Sequence, residues 1–218
     1  MKQASILLLL ILVLTLSKVN AQDKIPHLKK NGAATQLMVD NKPFLMIAGE
    51  VHNSSASTIE YMEPLFPKLK AMHLNSVFVT LAWEQFEPEE GIYDYSLVDA
   101  IIDNAKKNDL KVCLLWFASW KNGESSYAPL WVKKDTKRFF RVKTMAGQEI
   151  ETLSPFCEAT KIADAKAFAA LMKHIKEYDN DQTVILMQPQ NEVGMFQQID
   201  YNPISLELYE QAVPNQLM

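Results

Sequence analysis

Four short, mainly apolar runs recur along the chain, and each is followed by polar or aromatic positions. They lie at residues 44–48, 75–82, 111–117 and 184–187. Runs of this length are typical of strands that are buried on both faces of a parallel sheet. The last run turns polar at Gln188, and because Pro189 cannot donate to a sheet ladder, this strand is predicted to end there.

Between these runs, apolar residues recur at helical spacing. The pattern predicts helices over 58–72, 96–107 and 164–178, a short helix at 128–133 and a further helix from Ile204. Pro64 and Pro67 indicate that the first of these helices is broken or starts late. Repeated strand–helix alternation with buried strands predicts an α/β fold built on a parallel sheet.

The N-terminal part of the domain shows a different pattern. Residues 36–39 and 44–48 flank the turn sequence Asp40-Asn41-Lys42-Pro43, which predicts a hairpin. Residues 22–35 are mainly polar and are interpreted as a loose lead-in. The domain itself is therefore expected to occupy residues 36–218.

Residues 1–21 have the pattern of a secretory signal peptide. Lys2 supplies a basic start, residues 6–16 are apolar apart from Thr15, and residues 19–21 offer small side chains for cleavage. The apolar stretch is short for a membrane span, and an uncleaved N-terminal anchor is the alternative. We expect a secreted or periplasmic protein with no membrane span after signal cleavage.

Net charge and the usage of histidine and cysteine limit the kinds of partner, cofactor and disulfide that the sequence predicts. Loss of residues 1–21 would change the net charge from −4 to −6, because it removes Lys2 and Lys18 and no acidic residue. A mildly acidic domain without a basic patch argues against a nucleic-acid partner. The histidines show no metal-ligand spacing, so neither a metal nor another cofactor is predicted. Cys113 and Cys157 could pair in an oxidising compartment, but Cys113 lies in an apolar run, so a buried free thiol is an equal alternative.

Candidate site residues follow the predicted strands. Residues 83–87 come after the second strand, 120–122 after the third, and 191–192 after the fourth. In a (β/α)8 barrel the chemistry lies at the carboxyl ends of the strands. The alternative is that these polar residues are ordinary loop composition and that the Asn-Glu pair caps a helix.

Two tryptophans in these segments suggest the kind of ligand. Trp83 and Trp120 could stack on the apolar face of a sugar ring, while Lys121 and Asn122 could bind its hydroxyl groups. The alternative is that both tryptophans belong to the hydrophobic core.

Three segments resemble the barrel of retaining β-galactosidases. They are Gly49-Glu50-Val51-His52, the stretch Trp83-Glu84-Gln85-Phe86-Glu87-Pro88-Glu89-Glu90-Gly91-Ile92-Tyr93-Asp94, and Gln190-Asn191-Glu192-Val193-Gly194. The chain is most similar to glycoside hydrolase family thirty-five, and the Glu-Pro-x-x-Gly-x-Tyr-Asp pattern is also similar to family forty-two of the same clan. The resemblance implies a (β/α)8 TIM barrel of which this chain forms the first half, about four βα units.

Carried over by position, the resemblance implies that Glu192 is the catalytic acid/base and that Asn191 binds the 2-hydroxyl group of the sugar. The chain departs from the family pattern in two places. Thr80 stands where many members have Tyr, and Trp120-Lys121-Asn122-Gly123 stands in place of Cys-Ala-Glu-Trp. Both positions contact galactose in the family, so the glycone specificity of this chain is left open.

The family's nucleophile lies at the end of the seventh strand, and no residue of this chain matches it. Glu207 and Glu210 follow the fourth strand too closely and in a helical context. The 197 residues that remain after removal of 1–21 are also fewer than the about 250 of a complete barrel. We therefore expect residues 36–218 to be the truncated N-terminal part of a catalytic domain that needs its C-terminal half and is inactive alone.

The sequence thus predicts a retaining glycosidase that acts on terminal β-galactosides of oligo- or polysaccharides. A carbohydrate is the expected partner, and the sugar subsites would be lined by Trp83, Trp120, Lys121 and Asn122. Two alternatives remain open. One is a non-catalytic carbohydrate-binding module, which needs no second carboxylate. The other is an inert truncated product, because half a barrel exposes strand edges.

Overall fold

The computed structural model describes residues 25–195 and 199–218. The predicted signal peptide, residues 1–21, lies outside this part of the chain. The described residues fall into two compact units, one that comprises residues 25–46 and one that starts at Ile47. No helix within the described ranges is long and apolar enough to cross a bilayer.

The first unit contains three antiparallel strands in the order β1-β2-β3. They are β1 His27–Asn31, β2 Ala34–Val39 and β3 Lys42–Pro43. The predicted hairpin is present between β2 and β3, where Asp40 and Asn41 both have positive φ angles, 50° and 61°, as a type I′ turn requires.

Two expectations for the N-terminal segment were wrong. Residues 22–35 are not a loose lead-in throughout, because β1 pairs along its length with β2 and Gly32, with a φ of 60°, makes the turn between them. The second arm of the hairpin is shorter than the predicted 44–48: β3 ends at Pro43, and beyond it the backbone N of Phe44 donates to the carbonyl oxygen of Leu37 at 2.8 Å. The first compact unit consequently ends after Met46.

The second unit is built on a parallel sheet in the order β4-β5-β6-β9. Its strands are β4 Ala48–Glu50, β5 Ser76–Ala82, β6 Lys111–Lys121 and β9 Val184–Asn191. A separate antiparallel hairpin, β7 Arg141–Lys143 and β8 Glu149–Leu153, lies between the predicted helices at 128–133 and 164–178, where no strand was predicted. The sheet and its helices form a partial α/β barrel, as the sequence predicted.

Helices connect the parallel strands. They are α1 Ile59–Met62, α2 Leu65–Ala71, α3 Trp83–Phe86, α4 Ser96–Lys107, α5 Leu130–Lys134, α6 Glu158–Tyr178 and α7 Pro203–Tyr209. Two short 3-10 helices, Asn53–Ala56 and Asn215–Leu217, complete the set described. The first predicted helix is broken as expected, because α2 begins only after Pro64. At the start of α4, Asp94 Oδ1 accepts a hydrogen bond from the backbone N of Ser96 at 2.8 Å.

The hydrophobic core lies between the sheet and the helices. Val77, Val79 and Leu81 point to this side from β5, and their partners on β6 point the same way. These side chains and Ile101 of α4 are almost completely buried. Burying a Val, Leu or Ile side chain contributes roughly 1.5–3 kcal/mol, so this layer holds the strand ends in place.

The last strand of the sheet is an edge. Leu186 pairs with Cys113 of β6, yet Leu186 is 38 % exposed whereas Cys113 is 1 % exposed. The prediction that residues 184–187 are buried on both faces is therefore wrong for this chain. In the described ranges β9 has a strand partner on one side only, and the side chain of Leu186 is left partly exposed.

Candidate functional site at the carboxyl ends of the strands

The ends of β6 and β9 bring four predicted site residues together. Lys121 pairs with Asn191 across the two strands. The backbone N of Asn122 donates to the carbonyl oxygen of Asn191 at 3.3 Å, and the backbone N of Gly123 donates to that of Glu192 at 3.2 Å. Lys121, Asn122, Asn191 and Glu192 therefore form one patch, which we call the strand-end patch.

The backbone of the strand-end patch turns sharply. Asn122, Gln190 and Glu192 have φ angles of 54°, 65° and 48°. Non-glycine residues in this left-handed region are uncommon and cluster at functional sites. At these positions the backbone changes direction where β6 and β9 leave the sheet. The side chains of Asn122 and Glu192 are exposed there.

The side chains of the patch offer both hydrogen-bond donors and acceptors. Lys121 Nζ donates to Asn122 Oδ1 at 2.6 Å and lies 4.7 Å from the ring centre of Phe117. The side-chain amide of Asn191 is best assigned with its oxygen, rather than its nitrogen, 3.0 Å from Lys121 Nζ. In this orientation the amide oxygen accepts a hydrogen bond from the ammonium group. An ammonium group beside two amides is chemistry that suits the hydroxyl groups of a sugar.

Glu192, the predicted acid/base, is an exposed residue. Within residues 25–195 and 199–218 its carboxylate accepts no hydrogen bond and forms no ion pair. A carboxylate without such interactions can donate and accept a proton without breaking a structural hydrogen bond or ion pair.

The two tryptophans lie in the core rather than at the patch. Trp83 is completely buried, with 0 % exposure, and packs edge-on against Trp131 at 5.8 Å. It immediately follows β5 and its indole turns toward the helices, so the prediction that Trp83 lines a sugar subsite is wrong.

Trp120 is only 6 % exposed. It lines a cavity of about 370 Å³ together with Phe168 and Pro189, on the helix side of the sheet. Neither Lys121 nor Glu192 lines that cavity. The sugar-stacking role of Trp120 stays a prediction, and the cavity that its indole lines is separate from Lys121 and Glu192.

A buried carboxylate that the sequence did not indicate lies beneath the patch. Asp164 of α6 is 7 % exposed and accepts hydrogen bonds from Trp116 Nε1 at 2.9 Å and from Ser119 Oγ at 2.6 Å. It also accepts from Gln190 Nε2. The signal available in the sequence was an acidic residue on the same helix face as Phe168 and Leu171, positions that are apolar.

Neither cysteine is in a disulfide. Cys113 and Cys157 are both buried thiols, which is the second of the two alternatives. Among the residues the structure describes, no group of three or more His, Cys, Asp or Glu side chains could hold a metal ion.

Comparison with solved structures defines the class. The chain superposes on an exo-β-1,4-mannosidase from Opitutaceae bacterium strain TAV5 with a TM-score of 0.53 and 14 % identity, over 77 % of this chain and 27 % of that one. A likeness at this identity shows the fold alone, and that fold is part of an α/β barrel with the strand-end patch at the carboxyl ends of its strands.

Sequence comparison gives the family. Residues 55–217 match the model of the β-galactosidase family, glycoside hydrolase family forty-two. The match covers most of the chain, and the chain belongs to this family. The motifs had indicated family thirty-five as the most similar and family forty-two as similar, and it is the second of these that matches.

Two curated relatives agree with this assignment. The chain is 25 % identical over 209 residues to a β-galactosidase-1-like protein of Mus musculus, covering 90 % of this chain and 29 % of that protein. It is 27 % identical over 169 residues to a β-galactosidase of Xanthomonas manihotis, covering 74 % of this chain and 26 % of that protein. The chain thus spans less than a third of the length of each.

Proposed function

We propose that this chain forms part of a secreted or periplasmic retaining glycosidase that cleaves terminal β-galactosides of oligo- or polysaccharides. The observation that carries the proposal is the strand-end patch, in which the exposed carboxylate of Glu192 lies beside Asn191, Lys121 and Asn122. Membership of the β-galactosidase family supports the reaction class.

In this proposal Glu192 is the general acid and then the general base. As the acid, it protonates the glycosidic oxygen while a second carboxylate attacks the anomeric carbon and the leaving alcohol departs. As the base, it then removes a proton from the water molecule that releases the sugar from the covalent intermediate. The free carboxylate seen in the structure suits both steps.

The second carboxylate is proposed to come from a part of the enzyme outside this chain. In retaining enzymes the two carboxyl groups lie about 5–5.5 Å apart, on opposite sides of the scissile bond. The four parallel strands described here supply the carboxylate on one side of the scissile bond. The next strand of the barrel would pair with the exposed edge of β9. The length of the relatives, more than three times the matched part, supports this division.

Lys121, Asn122 and Asn191 are proposed to bind the sugar hydroxyls, with Asn191 on the 2-hydroxyl group. They lie on the two strands that meet at Glu192, so a sugar held by them is within reach of its carboxylate. Because the tryptophans are buried, hydrogen bonding rather than stacking would orient the ring within the described part of the site.

The test is Glu192→Gln in the complete enzyme, assayed as kcat/KM on aryl β-galactosides whose leaving groups range from phenol to 2,4-dinitrophenol. General acid assistance is worth roughly 10²–10⁴-fold, so we expect a loss of this size with phenol and a much smaller loss with dinitrophenol. Azide needs no general base when it attacks the covalent intermediate, so it should raise kcat of the variant on the activated substrate. Equal losses for all leaving groups would refute the assignment of Glu192.

A further inference from the structure

The ladder between β6 and β9 is interrupted directly before the strand-end patch. Trp116 pairs with Pro189, and the next pair is Lys121 with Asn191. The residues between them, 117–120 on β6 and Gln190 alone on β9, are unequal in number. Such a bulge leaves backbone groups without their usual ladder partners, so another interaction must hold the two strand ends in register.

The side chain of Gln190 supplies that interaction. Its Oε1 accepts a hydrogen bond from the backbone N of Trp120 at 2.9 Å, inside the bulge. Its Nε2 donates to Oδ2 of Asp164. One amide therefore connects the bulged strand to helix α6 across the gap in the ladder.

Asp164 fixes the other side of the bulge. Its Oδ2 accepts from the backbone N of Ser119 at 3.2 Å and from Ser119 Oγ at 2.6 Å, and its Oδ1 accepts from Trp116 Nε1 at 2.9 Å. Both oxygens of this buried carboxylate are thus used by the bulge or by Gln190. A buried network whose polar groups are all paired is rigid and specifies one arrangement.

We propose that Gln190, held by Asp164, is a positioning residue for Glu192. This inference rests on the proposed function, in which Glu192 is the acid/base. Gln190 precedes Glu192 by two residues, and the hydrogen bond to Trp120 sets where β9 ends relative to Lys121 and Asn122. Between the pairs Trp116–Pro189 and Lys121–Asn191, this side-chain bond joins β9 to the bulge. Its loss should therefore shift the backbone that leads into Glu192 and displace the carboxylate relative to the glycosidic oxygen.

A purely structural role for Gln190 makes a different prediction. Loss of packing or stability would lower activity equally for every substrate, because fewer molecules would be folded. A displaced acid lowers the rate only where protonation matters, since misplacement by about 1 Å can cost on the order of 10²-fold. Dependence of the loss on the leaving group therefore distinguishes positioning from stability.

The experiment compares Gln190→Ala and Asp164→Asn with Glu192→Gln in the complete enzyme, by kcat/KM on phenyl and 2,4-dinitrophenyl β-galactoside. The matched control is Asp179→Asn. Asp179 is a buried carboxylate at the opposite end of β9, where its Oδ2 accepts from the backbone N of Val184 at 2.8 Å. Thermal unfolding midpoints are recorded for all four variants.

We expect Gln190→Ala and Asp164→Asn to lose roughly 10–100-fold on the phenyl substrate and less than about threefold on the dinitrophenyl substrate, a weaker form of the Glu192→Gln pattern. Asp179→Asn should show no dependence on the leaving group. If Glu192→Gln depends on the leaving group and the Gln190 and Asp164 variants do not, the positioning role is overturned and the proposed function stands. If the loss in Glu192→Gln itself does not depend on the leaving group, the positioning role and the proposed function are both refuted.

Discussion

Trp83 and Glu87 are joined by a hydrogen bond of 2.7 Å from the indole Nε1 to Oε2 of the carboxylate, and both residues are buried. The other carboxylate oxygen accepts from the backbone N of Gly91, also at 2.7 Å. Gly91 has a φ of 79°, a conformation that favours glycine. The Trp-x-x-x-Glu-Pro-x-x-Gly pattern is thus explained by one carboxylate that ties the end of β5 to the turn before α4.

Glu87→Ala should destabilise the protein. The substitution leaves the buried Trp83 Nε1 without an acceptor, and each unsatisfied buried donor costs about 1–3 kcal/mol. For a domain of this size, each kcal/mol lowers the thermal unfolding midpoint by about 2–4 °C. The measurement is the midpoint of the variant against that of the unmodified protein.

Glu90 provides the control for Glu87 in the same turn. It pairs with Arg138 through two hydrogen bonds of 2.8 Å and 2.6 Å, but both side chains are about half exposed. Exposed ion pairs contribute about 0–1 kcal/mol. A Glu90→Ala variant that lost as much stability as Glu87→Ala would show that the buried hydrogen bonds of Glu87 are not what stabilises this segment.

Asp200→Asn should lower stability at neutral pH. Asp200 accepts from Ser154 Oγ and Ser205 Oγ, each at 2.6 Å, and from the backbone N of Lys143 at 2.9 Å. These bonds tie the segment after β9 to the β7–β8 hairpin. Hydrogen bonds to a charged group contribute about 1.5–3 kcal/mol, and an amide cannot accept all of them.

The effect of Asp200 should depend on pH. Burial raises the pKa of Asp200, but the hydrogen bonds from Ser154, Ser205, Lys143 and Asn202 lower it by more, so its pKa lies below the ordinary value of 3.8. A lowered folded-state pKa stabilises the fold above the unfolded-state pKa, and this is lost as the pH falls through the folded-state pKa. The difference in stability between the two proteins should therefore shrink below about pH 4. A constant difference from pH 7 to pH 3 would contradict this explanation.

The thiol groups should be unreactive while the protein is folded. Burial raises the pKa of the Cys113 thiol to about 11, and only the thiolate form attacks the disulfide bond of a thiol reagent. At pH 8 we expect Ellman's reagent to react with Cys113 and Cys157 only after guanidinium chloride is added, when both should react. If neither reacts in the denatured protein, the two are joined in a disulfide after all.

Elements defined by local periodicity could be predicted from the sequence. The helix at Ser96–Lys107 has the predicted bounds, because Leu97, Ile101 and Ala105 recur at helical spacing and are buried against the sheet. The hairpin β7–β8 could not be predicted in this way. Arg141–Lys143 contains a single apolar residue, Val142, which is too little for a period to show.

The hydrogen bonds that hold the candidate site in place join residues that are far apart in the sequence. Asp164 was interpreted as the beginning of a helix, whereas it lies within α6 and binds Trp116, Ser119 and Gln190. No local pattern shows that an acid in α6 meets an amide 26 positions later. At Leu186 the local pattern predicted too much, because its apolar run indicates burial on both faces. In the described structure Leu186 is partly exposed, and a further strand beside β9 would be needed to bury it.

Export can be tested on the protein isolated from its natural source. The basic start, the apolar residues 6–16 and the small residues 19–21 predict cleavage after Ala21. N-terminal sequencing should therefore begin at Gln22, in the periplasmic or extracellular fraction. A protein that still began at Met1 would favour the uncleaved anchor.

Lys121→Met should weaken catalysis without lowering stability. Methionine keeps an apolar chain over the ring of Phe117, where Lys121 Nζ lies 4.7 Å from the ring centre, but it removes the ammonium group that we propose binds a sugar hydroxyl. A hydrogen bond to a charged group contributes about 1.5–3 kcal/mol, which corresponds to a loss of roughly 10–150-fold in kcat/KM. The loss should be the same for phenyl and 2,4-dinitrophenyl β-galactoside, because binding of the sugar does not depend on the leaving group.

Lys137→Met is the matched control for Lys121→Met. Lys137 is exposed and is not one of the residues of the strand-end patch, so its replacement should leave kcat/KM within about twofold (roughly 0.4 kcal/mol). The unfolding midpoints of both variants should stay near that of the unmodified protein. Equal kcat/KM for the two variants would show that Lys121 does not contact the sugar, and the position of the glycone would then have to be sought away from the end of β6.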